Sequence, residues 1–130
     1  MELPSFQVAR RAQDRFQVLT PSGRITLGQS VKELRHAFDE VAEQGHAWVL
    51  IDMSEVPYID SAGLGSIVTG LNLFRKIKGN MVLCCVQPRV LQLLELTSLT
   101  GVLQVYPTAE DAVKSLPESA QSQVVSNSAT

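Results

Sequence analysis

Ala47-Trp48-Val49-Leu50-Ile51-Asp52-Met53-Ser54-Glu55-Val56-Pro57-Tyr58-Ile59-Asp60-Ser61-Ala62-Gly63-Leu64-Gly65 is the stretch around which the chain is organised. It opens with a nearly unbroken apolar run, Ala47 to Ile51, as strands buried on both faces do. It leads out into Leu64, Ile67, Val68, Leu71 and Phe74, whose spacings of three and four predict an amphipathic helix laid on a sheet. Asp60 and Ser61 stand where strand gives way to helix, and either side chain suits a cap on the free N–H groups of the first turn. Gly63 and Gly65 keep this turn bare, so that a second molecule can approach the backbone. The reading is of an exposed hydroxyl at the positive end of a helix dipole, where a phosphate can be carried or met.

On the N-terminal side, Phe6 to Arg11 and Phe16 to Thr20 read as two short strands around a polar Gln13-Asp14 turn. Pro21-Ser22-Gly23 reads as a break, with Ile25-Thr26-Leu27 extending the strand before Gly28. Ser30 and Glu33 match a capping box, and Val31, Leu34, Phe38, Val41 and Ala42 give one apolar stripe that Gly45 ends. On the C-terminal side, Lys78-Gly79-Asn80 closes the Ser61 helix and Met81 to Val86 forms the next buried strand. Pro88 opens a helix that turns Val90, Leu91, Leu93 and Leu94 inward. Thr97 to Gly101 is a loop and Val102 to Tyr106 an outer strand. Thr108 with Asp111 caps a last helix burying Ala112, Val113 and Leu116.

The order β-β-α-β-α-β-α-β-α defines an α/β fold whose alternation from 47 to 106 argues for parallel strands. We expect a mixed, mostly parallel sheet of four or five strands with about four helices. Residues 1–116 form one domain, and the Ser/Gln/Ala-rich stretch 117–130 reads as a disordered tail, too poor in apolar residues to order itself.

A net charge of -2 gives no reason to expect nucleic acid, which calls for a basic patch. Neither a membrane-spanning run nor a signal-peptide apolar region is read, so a cytoplasmic protein without membrane insertion is expected. Cys84 and Cys85, adjacent on a strand, are expected to point to opposite faces as reduced core residues. His36 lies off its helix stripe, and His46 lacks acidic or thiol neighbours, so neither suggests a metal. Without a P-loop or a G-x-S-x-G elbow, and with no histidine evidently placed to activate Ser61, the sequence suggests no enzyme, catalytic residue or cofactor.

The segment Leu50 to Gly65 resembles the signature of STAS domains, and most closely that of the stand-alone bacterial anti-sigma-factor antagonists. In that family a hydrophobic strand carrying an Asp runs into Asp-Ser-Ser/Ala-Gly-Leu, matched here by Asp52 and Asp60-Ser61-Ala62-Gly63-Leu64. Lys78 to Cys84 is similar to the family's glycine turn and fourth strand, and Leu94 to Leu99 to its third helix, so the resemblance covers most of residues 6–116. It implies that Ser61 is phosphorylated by an anti-sigma factor that is also a serine kinase. The unmodified chain would bind that partner, the phosphorylated chain would release it, and a serine phosphatase would reset the system. Asp60, Ser61, Ala62, Gly63 and Leu64 would form the contact with Arg24 and Thr26, which stand where antagonists usually carry an acidic residue. Ala62 replaces a second serine and Ser66 lies more than a turn into the helix, leaving Ser61 as acceptor. Asp60 is either a second cap or the residue that orients the serine and a kinase-bound metal. The same resemblance admits a scaffold that does not switch, such as a stressosome-type subunit or an accessory of a lipid transporter.

Overall fold

The computed structural model describes residues 6–13 and 15–117 of the chain. Strands β1 (Gln7–Gln13) and β2 (Phe16–Ser22) are followed by α1 (Gln29–Glu43), β3 (Trp48–Asp52), α2 (Ser61–Lys76), β4 (Asn80–Cys84) and α3 (Pro88–Leu96). A 3-10 turn (Leu99–Gly101), β5 (Gln104–Tyr106) and α4 (Ala109–Lys114) complete them. The five strands lie in sequence order, β1 antiparallel to β2 and the rest parallel. The expected α/β architecture and element order are therefore observed, while residue 14 of the Gln13-Asp14 turn and residues 118–130 of the proposed tail lie outside the described residues.

The strand alternation divides the core. Val49 and Ile51 of β3 with Met81 and Leu83 of β4 point to one face, where Leu34, Phe38, Leu71, Phe74, Val90 and Leu94 from α1, α2 and α3 cover them. Leu50, Val82 and Cys84 point to the other face, closed by Ala112 and Leu116. This explains why β3 reads as continuously apolar: both of its faces are buried. Phe38 and Phe74 meet edge to face, with ring centroids 6.0 Å apart. Their close contact depends on Gly70, where an added Cβ would lie 2.5 Å from the Phe38 ring.

Several local readings are corrected. β2 does not break at Pro21, because its parallel pairing to β3 ends at Leu19, leaving no ladder bond to β3 for the missing N–H to forfeit. Ile25 does not extend β2 but makes a separate parallel bridge to Ile59. The Ser30–Glu33 capping box does not form: Gly28, at φ 120°, takes the N-cap position two residues ahead of Ser30. Ser30 is buried instead, accepting from Thr26 N–H at 2.8 Å and donating to Thr26 C=O at 2.9 Å. Glu33 accepts from the Gln29 side chain rather than reaching back to the cap.

The helix stops follow Schellman geometry, with 6→1 and 5→2 bonds at the ends of α1 and α2. Gly45 takes the left-handed position after α1, but after α2 it is Lys78 that does so, at φ 69°. The neighbouring Gly79 serves a different need: a Cβ there would fall 1.8 Å from the Ala47 carbonyl oxygen.

Candidate functional site

The sequence stretch read as a strand turning directly into a helix contains an intervening segment. β3 ends at Asp52, residues 53–60 cross the carboxyl edge of the sheet, and α2 begins at Ser61. That crossing runs beside the loop after β2. Gly23 N–H donates to Glu55 C=O (3.0 Å), Ile25 N–H to Tyr58 C=O (3.1 Å), and Asp60 N–H to Ile25 C=O (3.2 Å). Two loops from neighbouring strands are thus sewn into one platform.

Asp60 fastens the platform to α2. It is the N-cap, with one carboxylate oxygen accepting from Gly63 N–H at 2.8 Å. The other accepts from Leu27 N–H at 2.9 Å. The Leu27 bond first, and the Gly63 bond next, hold the Asp60 carboxyl below its ordinary value of 3.8, because both stabilise the charged form. Of the two cap candidates, Asp60 takes the role and Ser61 is released from it. Ser61 is the first residue of the helix, exposed, and its hydroxyl makes no hydrogen bond among the described residues.

The other candidate residues fall into two groups. Arg24 is exposed, and Thr26 and Ala62 are half-buried, Thr26 bonding to Ser30 rather than to Ser61. Gly63 and Leu64 are buried, with a Cβ at Gly63 lying 2.1 Å from the Ile25 carbonyl oxygen, so the glycine is demanded by the platform's own packing. Gly65 faces open space. Ser66 is buried and donates to Gly63 C=O at 2.7 Å, so its hydroxyl is already engaged.

Two features were missed by sequence reasoning. Arg24 and Arg89 both approach Tyr58, with guanidinium carbons 4.8 and 5.6 Å from the ring centroid. Pro88 at the start of α3 was legible, but nothing in the spacing of residues 58 and 89 signals their contact. An apolar groove also opens between the start of α2 and α3, lined by Ile59, Ser61, Leu64, Leu93 and Leu96 among others. Leu96 is 75% exposed on its rim.

The cysteines depart from expectation as well. Cys85 does not continue β4 but takes φ 58°, which turns its thiol towards that of Cys84 rather than to the opposite face. Their sulfurs and an Asp52 carboxylate oxygen lie within 4.8 Å of one another. Burial first, then the hydrogen bond to Cys85 and the negative charges nearby, pushes the Cys84 thiol far above its usual range.

The mixed five-stranded sheet with its four helices matches the fold of the STAS anti-sigma factor antagonists. The STAS domain family model matches residues 7–112, and the chain belongs to that family. A Thermotoga neapolitana protein provisionally named an anti-sigma factor antagonist is 28% identical over 97 residues, covering 75% of this chain and 86% of its own. The anti-sigma-B factor antagonist of Bacillus subtilis is 31% identical over 85 residues, 65% of this chain and 77% of its own. Among solved structures, a Thermotoga maritima protein, also provisionally named an anti-sigma factor antagonist, superposes with a TM-score of 0.79 at 24% identity, covering 84% of this chain and 93% of that one. The anti-sigma factor antagonist SpoIIAA in its unphosphorylated form gives 0.63 at 16% identity over 83% and 93%. Among the described residues no helix is long and apolar enough to cross a membrane.

Proposed function

We infer that this protein is an anti-sigma-factor antagonist, a binding module whose serine at position 61 acts as its switch. The observation that carries the reading is the division of labour at the start of α2: Asp60 supplies the cap, leaving the Ser61 hydroxyl exposed and uncommitted. The relatives named as antagonists support it, and SpoIIAA has been solved in a phosphorylated form as well. The unmodified chain would hold an anti-sigma factor with serine kinase activity, the phosphorylated chain would release it, and a serine phosphatase would restore binding.

The energetics separate fold from interface. A phosphate on Ser61 brings about -1.5 to -2 charges. At a helix N-terminus such a charge is favourable by about 0.3–1 kcal/mol, so the domain tolerates it. Inside a protein contact the same group must shed water, and an uncompensated buried charge costs several kcal/mol. A loss of about 3 kcal/mol weakens binding roughly a hundredfold. Asp60 lies beside the phosphate with like sign, but across solvent, where salt screens the repulsion.

The test is intact-mass and peptide-mapping spectrometry after incubation with an anti-sigma kinase of this family and ATP. One phosphate is expected on the wild type, at Ser61, and none on Ser61→Ala, which should stay bound to the kinase in ATP. Modification elsewhere, or equal binding of Ser61→Ala and Ser61→Asp, would remove the switch.

A further inference from the structure

We propose that the face beside Ser61 receives an acidic amphipathic helix of a protein partner. A carboxylate of that helix would sit between Arg24 and Arg89, and its apolar side would lie in the groove between α2 and α3. The proposal rests on the binding reading above and adds the charge and shape of what binds.

Arg24 comes from the loop after β2 and Arg89 from the first turn of α3, yet both guanidinium groups gather on the single ring of Tyr58. With Pro57 and Tyr58 they line a shallow hollow. Neither arginine has a carboxylate partner among the described residues. Asp60, the acidic residue that lines the adjoining groove, spends its two oxygens on Leu27 and Gly63 N–H. Two like charges held on one ring repel each other, and an anion bound between them relieves that repulsion while accepting the forked hydrogen bonds that guanidinium offers.

Tyr58 and Arg89 also border the apolar groove, so hollow and groove are one continuous surface. The long walls of the groove are side chains of α2 and α3, with residues 58–60 of the crossing segment closing one end, an arrangement into which a third helix sets apolar residues at spacings of three and four. Leu96, 75% exposed at one end, and the cation pair at the other set the polarity of the occupant: apolar along one face, acidic at one end. Ser61 lies on the groove wall, so its phosphate would place a dianion against the acidic partner and give the arginines a competing anion within the same chain.

The experiment titrates the isotope-labelled full chain with two synthetic helical peptides of about 16 residues, roughly four turns. Both carry leucines at spacings of three and four, and one has two glutamates at its end where the other has lysines. The glutamate peptide should bind about tenfold tighter or better, since like charges brought together cost more than one kcal/mol. Its amide shifts should centre on Ser61, Leu64, Leu93 and Leu96, and the Arg24→Glu/Arg89→Glu chain should reverse the preference. Arg89→Gln, a milder change at an exposed position, should narrow it. Equal binding of the two peptides, binding of neither, or shifts away from the groove would overturn the proposal. Shifts at the same residues that grow with protein concentration alone would overturn it in favour of a second copy of the chain. Loss of the charge preference leaves phosphorylation at Ser61 standing, because that reading falls only to the kinase experiment.

Discussion

Asp60 and Ser61 are neighbours with opposite duties. The carboxylate of Asp60 joins Leu27 to Gly63, and its acidity is raised by those bonds. Because its folded value is depressed, its contribution to stability is complete above the ordinary 3.8 and is lost as pH falls through the lower, folded value. Asp60→Asn should therefore melt below wild type at about pH 6, and the gap should close towards about pH 2. A gap unchanged by pH, measured by thermal unfolding, would contradict this. Cys84 offers a second residue-level test: buried and held protonated, it should resist iodoacetamide in the native protein while the half-buried Cys85 is modified first. Equal labelling of both thiols would show that the pair is open to solvent.

Helix α2 carries three glycines whose environments differ enough to give opposite outcomes. Gly65 faces open space, so Gly65→Ala should stabilise the chain by up to about 1 kcal/mol through helix propensity. Gly70 lies under Phe38, and Gly70→Ala should instead cost about 1–3 kcal/mol by overpacking the contact between α1 and α2. Denaturant unfolding of the two variants should move in opposite directions, and a shared sign would refute the packing account. The sequence made the elements plain where one physical cause dominated: the apolar run of β3, the stripe of α2, Pro88 opening α3, and Thr108 accepting from Asp111 N–H at the start of α4. It misled where two causes competed. Ser30 matched a capping motif, yet Gly28 could adopt φ 120° and start the helix first, and the serine was drawn into the Thr26 loop. Glycine at 79 marked the end of α2 correctly, but for close approach to Ala47 rather than for its own backbone angle. In the candidate site, Asp60-Ser61-Ala62-Gly63-Leu64 was legible because it is local. The Arg24–Tyr58–Arg89 cluster was not, since three loops and helices distant in sequence must fold before those side chains meet.

At the scale of the whole domain, the sheet fixes two loops and two helix starts at one edge, and the proposed switch stands there. The core beneath is buried on both sheet faces and Ser61 is exposed outside it, so modification of Ser61 should leave the fold intact. Thermal unfolding of the phosphorylated chain should fall within a few degrees of the unmodified one, a shift of about 1 kcal/mol or less. The direct measurement is calorimetric titration of an anti-sigma kinase of this family with each of the two forms, in the presence of nucleotide that cannot transfer its phosphate. The chain phosphorylated at Ser61 should bind roughly a hundredfold more weakly than the unmodified chain. Equal affinities would contradict the claim that the exposed serine at the mouth of α2 governs the interface.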